Sequence, residues 1–181
     1  MKILLISPTI DTSYEFAPPL GLMNLYLIAK ELGHDVELLD LSLESYKKGI
    51  AKILSKQYDI IGVTCNFTNA IPFCIRYAKD IKKKYPDTML VSGGNHATLL
   101  PEDLLFNGYD YVIASEGELT FKEFLQRLSD KKTVKDIDGI YYSDDGKVIR
   151  NNPRELIKDL DTLPLNDFSE FDLDPYFKTA K

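Results

Sequence analysis

A chain of 181 residues, 44% apolar and 28% charged, fills one α/β domain plus a short appendage and is too short for two full domains. It has no run of about 18 apolar residues to cross a bilayer. Its formal charge of -6 is concentrated in a tail where residues 155–181 hold seven acids against three lysines, which argues against a nucleic-acid grip. Cys65 and Cys74, nine apart, form no C-x-x-C pair; they indicate neither zinc nor a disulfide framework and fit a reducing cytoplasm.

Lys2 to Ser7 reads as a first strand stopped at Ser7-Pro8; the apolar run is too short for a signal peptide and lacks a small-residue cleavage site. Thr9 to Pro19 is a roomy loop. Leu22, Leu25, Tyr26, Ala29 and Leu32 then share one face of a helix closed by Gly33. His34 to Asp40 is a second strand, and Ser42 is placed to cap a helix carrying Leu43, Tyr46, Ile50, Ile53 and Leu54 on one face.

Asp59 to Thr64 is a third strand, nearly all apolar as in a sheet covered on both sides, with Cys65 to Asn69 as its outlet. Ile71, Cys74, Ile75, Ala78 and Ile81 mark the inner face of a helix ending in Lys82-Lys83-Lys84, where cations suit the dipole. Thr88 to Ser92 is a fourth strand running into Gly93-Gly94, where paired glycines admit a close approach to the backbone. Leu99 to Phe106 is a short helix or turn and Tyr109 to Ser115 a fifth strand. Phe121, Phe124, Leu125 and Leu128 mark the last helix.

Five strands alternating with helices predict an α/β domain: a five-stranded parallel sheet with helices on both faces, over residues 1–132. In residues 133–152 the signal changes to a β-hairpin around Asp145-Gly146, an add-on to the main sheet. Residues 153–181, with Pro153, Pro164 and Pro175 among acids, read as an extended connector, and the chain as a fragment of a longer protein.

All the strand outlets of a parallel sheet fall on one edge, where open α/β sheets bind ligands. A dinucleotide site there needs G-x-G-x-x-G after the first strand, and Ser7 to Gly21 offers a single glycine. A phosphoacceptor site needs acids at the first and third outlets, which instead read Ser7-Pro8 and Thr64-Cys65. What remains is an edge of small, uncharged, backbone-rich loops: Thr64, Asn66 and Thr68; Gly93, Gly94, Asn95 and His96; Glu116, Gly117 and Glu118. Such loops suit a broad flat ligand with a polar tail better than a compact phosphate.

In chain order, Lys2-Ile3-Leu4-Leu5-Ile6-Ser7-Pro8, Pro19-Leu20-Gly21-Leu22, Gly33-His34-Asp35-Val36 with Asp40, Asp59-Ile60-Ile61-Gly62, Gly93-Gly94-Asn95-His96-Ala97-Thr98 with Pro101-Glu102, and Glu116-Gly117-Glu118 with Thr120-Phe121 resemble the N-terminal cobalamin-binding domain of radical SAM enzymes. Leu160-Asp161-Thr162-Leu163-Pro164 resembles the connector before that family's catalytic barrel. The resemblance implies a Rossmann-like, flavodoxin-like domain that lays the corrin on the C-terminal edge of the sheet. Pro8, Tyr14, Pro19 and Gly21 then join the three loop groups above as cofactor contacts.

It also implies, for the longer protein, S-adenosylmethionine, a 4Fe-4S cluster and a radical SAM domain as partner to this one. The chemistry is either methyl transfer or an oxidative cyclisation like that of the anaerobic Mg-protoporphyrin IX monomethyl ester cyclases. No residue of this chain is assigned as catalytic or as a metal ligand. The cluster motif C-x-x-x-C-x-x-C is missing, and the loop matching the D-x-H-x-x-G of other cobalamin domains reads Asp11-Thr12-Ser13-Tyr14-Glu15-Phe16, without histidine or glycine.

His96 either approaches cobalt or a corrin amide, or shapes its loop through a backbone contact, the preferred reading. Glu116 and Glu118 either bond the ligand or, for Glu118, sit favourably beside a helix dipole. Cys65 reads as buried structure rather than a contact. Tyr14 and Phe16 either cover the corrin or anchor their loop. Two other functions fit parts of the chain: the N-terminal half of a two-domain glycosyltransferase, through the first strand and the Gly-His-Asp-Val turn, and a degenerate docking domain.

Overall fold

The computed structural model describes residues 1–9, 17–42, 44–164, 169 and 171–179. In chain order the strands are β1 (Lys2–Ser7), β2 (Asp35–Asp40), β3 (Ile60–Thr64), β4 (Met89–Gly93), β5 (Tyr111–Ile113), β6 (Ile140–Asp144) and β7 (Lys147–Arg150). The helices are α1 (Leu20–Glu31), α2 (Tyr46–Ile53), α3 (Ile71–Lys84), α4 (Asn95–Leu99), α5 (Glu102–Leu105), α6 (Glu118–Ser129) and α7 (Asp174–Thr179). Among the described residues no helix is long and apolar enough to cross a membrane.

The strands form one sheet in the order β2-β1-β3-β4-β5-β6-β7, the first five parallel. The sheet is therefore larger than the five strands read from the sequence. The hairpin extends the sheet itself: β6 pairs antiparallel with β5 through Tyr111↔Tyr142, Val112↔Tyr141 and Ile113↔Ile140. The physical reason is the short β5, whose Val112 is fully buried and whose outer edge would otherwise expose unpaired backbone. Asp145 and Gly146, both at positive φ (47° and 73°), close the β6–β7 turn.

Alternation along the strands divides the core in two. Leu4, Ile6, Ile61, Val63, Leu90 and Val112 face one layer with Ile53, Cys74, Tyr77, Ala78, Ile81 and Leu104. Ile3, Leu5, Ile60, Val91 and Ile113 face the other, with Leu22, Ile28 and Ala29 of α1 and Phe121, Phe124 and Leu125 of α6. The helices thus cover both faces, and α1 lies beside α6.

Three local expectations need correction. The cap of α2 is Ser45, not Ser42, whose N–H instead bonds the Asp40 carboxylate at 2.9 Å. The helix after Gly93-Gly94 begins at once, at Asn95, leaving almost no loop. The connector is not wholly extended; it holds a 3-10 turn at Leu160–Thr162, capped by Asp159, and α7.

Arg154, on the segment after β7, pairs with Glu123 of α6, which also binds Arg127 at 2.7 Å. Burial alone would raise the Glu123 carboxyl, but the two arginines outweigh it and hold it below its ordinary 4.5. A carboxylate depressed in the folded state stabilises above the unfolded value, and this contribution is lost as pH falls through the folded one. The loss in urea midpoint between about pH 6 and about pH 3.5 is expected to be smaller in Glu123→Gln than in wild type. An equal loss in both proteins contradicts this linkage.

Candidate functional site

The register aligns the strand ends along one rim. Ser7 ends opposite Asp40, Thr64 opposite Gly93, and Gly93 opposite Ile113. The outlets after β3, β4 and β5 are stitched together there. Cys65 N–H donates to the Gly93 carbonyl (2.7 Å), and the Cys65 carbonyl accepts the N–H groups of His96 (3.0 Å) and Ala97 (3.3 Å). The Asn66 side-chain oxygen accepts Asn95 N–H at 3.4 Å. Thr98 Oγ1 donates to the Gly94 carbonyl (2.9 Å) and accepts Ser115 N–H (3.0 Å), joining the Gly-Gly turn to the Glu-Gly-Glu turn.

Only glycine fits at position 94. Its φ is 101°, and an added Cβ would stand 2.4 Å from Asn66 Oδ1 and 3.0 Å from the Cys65 carbonyl oxygen. His96 is 6% exposed, and both ring nitrogens are engaged: Nε2 with Asp103 Oδ2 at 2.9 Å and Nδ1 with Thr68 Oγ1 at 3.2 Å. Since a carboxylate only accepts, Nε2–H donates to Asp103, and Nδ1 pairs with the Thr68 hydroxyl. This histidine ties α4 to α5 and to the turn after β3, and both of its ring nitrogens are bonded within the protein. Among the described residues, no three His, Cys, Asp or Glu side chains gather as a metal site requires.

The other candidates fall into groups. Gly117 is the N-cap of α6 and Glu118 its first residue, beside the positive end of the dipole. Gly21 is exposed in the first turn of α1, with Pro19 as its N-cap. Neither α1 nor α6 has a side-chain cap, and at the start of α1 the Leu20 N–H donates to the Pro18 carbonyl at 2.9 Å. Pro8 is buried directly after the rim end of β1, and its neighbour Thr9 bonds the Tyr77 hydroxyl at 2.7 Å. Glu116 is taken by the connector, accepting Ile157 N–H at 2.7 Å. Cys65 and Cys74 are buried free thiols. Tyr14, with Asp11 to Phe16, lies outside the described residues.

Sequence reading passed over Thr98, whose bridging role depends on Ser115, seventeen residues away. It also passed over an apolar set at the same edge. Phe67 is 62% exposed after β3, and Leu20 and Leu119 stand exposed in the first turns of α1 and α6. Large apolar side chains left in water beside backbone-rich loops suit a broad ligand with a partly apolar surface and amide groups at its margin. An open cavity of about 500 Å³ lies elsewhere, at the opposite edge where β4 and β5 begin, lined by Lys82, Met89, Asp110, Tyr111, Lys135 and Tyr142. Its polar ion-paired lining and distance from the stitched loops leave the rim as the candidate site.

Residues 6–125 match the family model described as B12 binding domain. The chain belongs to the B12-binding domain family. Across 97% of its length it is 36% identical to an uncharacterized methyltransferase, PH0819, of Pyrococcus horikoshii, of which it spans 40%. Over 89% of its length it is 27% identical to the anaerobic magnesium-protoporphyrin IX monomethyl ester cyclase of a Synechocystis strain, spanning 34% of that protein. Among solved structures, the radical S-adenosylmethionine methyltransferase TsrM of Kitasatospora setae, with cobalamin and an iron–sulfur cluster bound, superposes with a TM-score of 0.73 at 19% identity. The superposition covers 90% of this chain and 30% of TsrM.

The resemblance read from the ordered motifs is thus the family itself, and both enzyme groups it pointed to stand among the relatives. This B12-binding domain is related in sequence to a methyltransferase and a cyclase, and it shares its fold with that radical SAM methyltransferase. It spans well under half the length of these relatives.

Proposed function

We propose that the domain lays cobalamin across the C-terminal rim and presents it to a radical SAM catalytic domain of a longer protein that performs methyl transfer. The observation that carries this is the stitched rim: the β3 and β4 outlets joined by backbone bonds and the β5 outlet tied to them by the Thr98 hydroxyl, flanked by two uncapped helix starts and by exposed Phe67, Leu20 and Leu119. Bound cobalamin supplies a cobalt centre able to carry a methyl group, chemistry that no side chain here can perform.

The chain's own residues would bind and orient. First-turn N–H groups of α1 and α6 would meet amide carbonyls or the phosphate of the ligand, as helix starts do with anions. Gly93, Gly94 and Gly117, whose added Cβ atoms would press on Ile113, Asn66 and Cys65, keep the turns beneath the ring tight. Phe67 and Leu119 exclude water from its margin. His96, committed on both nitrogens, holds the shelf rather than the metal. S-adenosylmethionine and a 4Fe-4S cluster belong to the downstream domain in this reading.

Methyl transfer is favoured over cyclisation because identity to the methyltransferase relative, 36% over nearly the whole chain, exceeds that to the cyclase, 27%. The glycosyltransferase alternative has no counterpart in the family match. Titration with hydroxocobalamin, followed by desalting, tests the binding step. About one corrin per chain is expected to elute with the protein, and none retained across reconstitution conditions overturns the proposal.

A further inference from the structure

The connector returns to the rim that the proposed function assigns to cobalamin. After β7 the chain emerges beside the β5 outlet, where Gly139 N–H bonds the Asn152 carbonyl at 2.8 Å and Asn151 Nδ2 bonds the carbonyls of Lys135 (2.7 Å) and Ile137 (2.8 Å). Arg154 then reaches Glu123 on α6, and Ile157 N–H reaches the Glu116 carboxylate. Further on, Phe171 meets Tyr26 of α1 edge-on at 5.3 Å, and the Tyr176 hydroxyl bonds Asp40 at the end of β2. The connector is therefore tied to the rim near both of its ends, at the β5 outlet and at the β2 outlet.

Resting on that reading of the rim, we propose that Glu116 is a positioning residue: its carboxylate holds the connector at Ile157 as a side wall of the shelf, so that ligand occupancy and connector order are coupled. The carboxylate is spent on a backbone N–H, a charge-assisted bond, and this gives the Glu-Gly-Glu turn a task other than touching the ligand. The same bond fixes the direction in which the chain leaves the domain at Ile157.

Lys158, adjacent to the anchored residue and with its side chain 86% exposed, provides the readout as a trypsin site. Without ligand, Glu116→Ala is expected to raise the rate of cleavage after Lys158 at least fivefold. Glu116→Gln, which keeps an acceptor oxygen, stays near wild type. Ile157→Pro, which removes the donor and leaves the carboxylate, behaves like Glu116→Ala. Added hydroxocobalamin slows cleavage of the wild-type chain several-fold, and its Kd rises about five- to tenfold in Glu116→Ala and Ile157→Pro but not in Glu116→Gln.

Equal loss of affinity in Glu116→Ala and Glu116→Gln with Ile157→Pro unaffected overturns the proposal in favour of direct ligand contact. Wild-type cleavage rates in Glu116→Ala, or rates indifferent to hydroxocobalamin in a chain that retains it, overturn it as well. If the wild-type chain retains no corrin, the rim reading fails, while the ligand-free cleavage comparison still decides whether Glu116 anchors the connector. Thermal melts followed by circular dichroism show whether each variant keeps its fold.

Discussion

Replacing Gly94 with alanine is expected to lower the unfolding free energy by about 3 kcal/mol and the melting temperature by roughly 10 °C, and to weaken hydroxocobalamin binding at least tenfold. The backbone there sits at φ 101° and ψ 177°, a region open in practice to glycine alone. The exposed Asn66 side chain can swing away from a new Cβ. The Cys65 carbonyl cannot, because it belongs to the β3 outlet and already receives two N–H groups from α4. The turn must therefore open, and α4 moves with it. Gly21→Ala is the matching control: its Cβ meets nothing within 4 Å, and stability should change by less than about 0.5 kcal/mol. Urea unfolding of the two variants side by side, with equal stabilities found, contradicts the assignment of strain to position 94.

His96→Ala is expected to cost about 2–3 kcal/mol, combining two lost hydrogen bonds with a cavity beneath α4. At saturating ligand the visible spectrum of bound hydroxocobalamin should nevertheless match that of wild type. The reason is geometric. Nε2 donates to Asp103 and Nδ1 pairs with the Thr68 hydroxyl, so both ring nitrogens are already bonded inside the protein. A shifted spectrum in the variant would show an imidazole at the metal and overturn the bracing role. Unchanged stability would do the same by another route.

The parallel half of the sheet was legible because its strands are near-continuous apolar runs ending at small or polar residues, as in Asp59 to Thr64 and Thr88 to Ser92. The joining of β6 and β7 to that sheet was not, since a hairpin pattern states how two strands pair with each other and nothing about which edge lies open. The same limit applies to the site. Paired glycines announced close backbone approach, but the strain at Gly94 comes from Asn66 and Cys65, nearly thirty residues earlier in the chain. Glu116 was read as a ligand contact because the carboxylate's partner, the Ile157 N–H forty-one residues later, is a backbone group that carries no sequence signature. Thr98 shows the reverse case: it stands in the Gly-Gly motif, but its bond to Ser115, seventeen residues on, is carried by nothing in that motif.

Hydrogen–deuterium exchange of the whole chain, with and without hydroxocobalamin, tests most directly whether the ligand lies on the C-terminal rim. Slower exchange is expected together in residues 64–68, 93–98 and 116–121, with no change around Met89, Asp110, Tyr111 and Tyr142 at the opposite edge. Protection confined to that opposite edge, or spread over one rim loop alone, would contradict a shelf formed by three outlets acting as one surface.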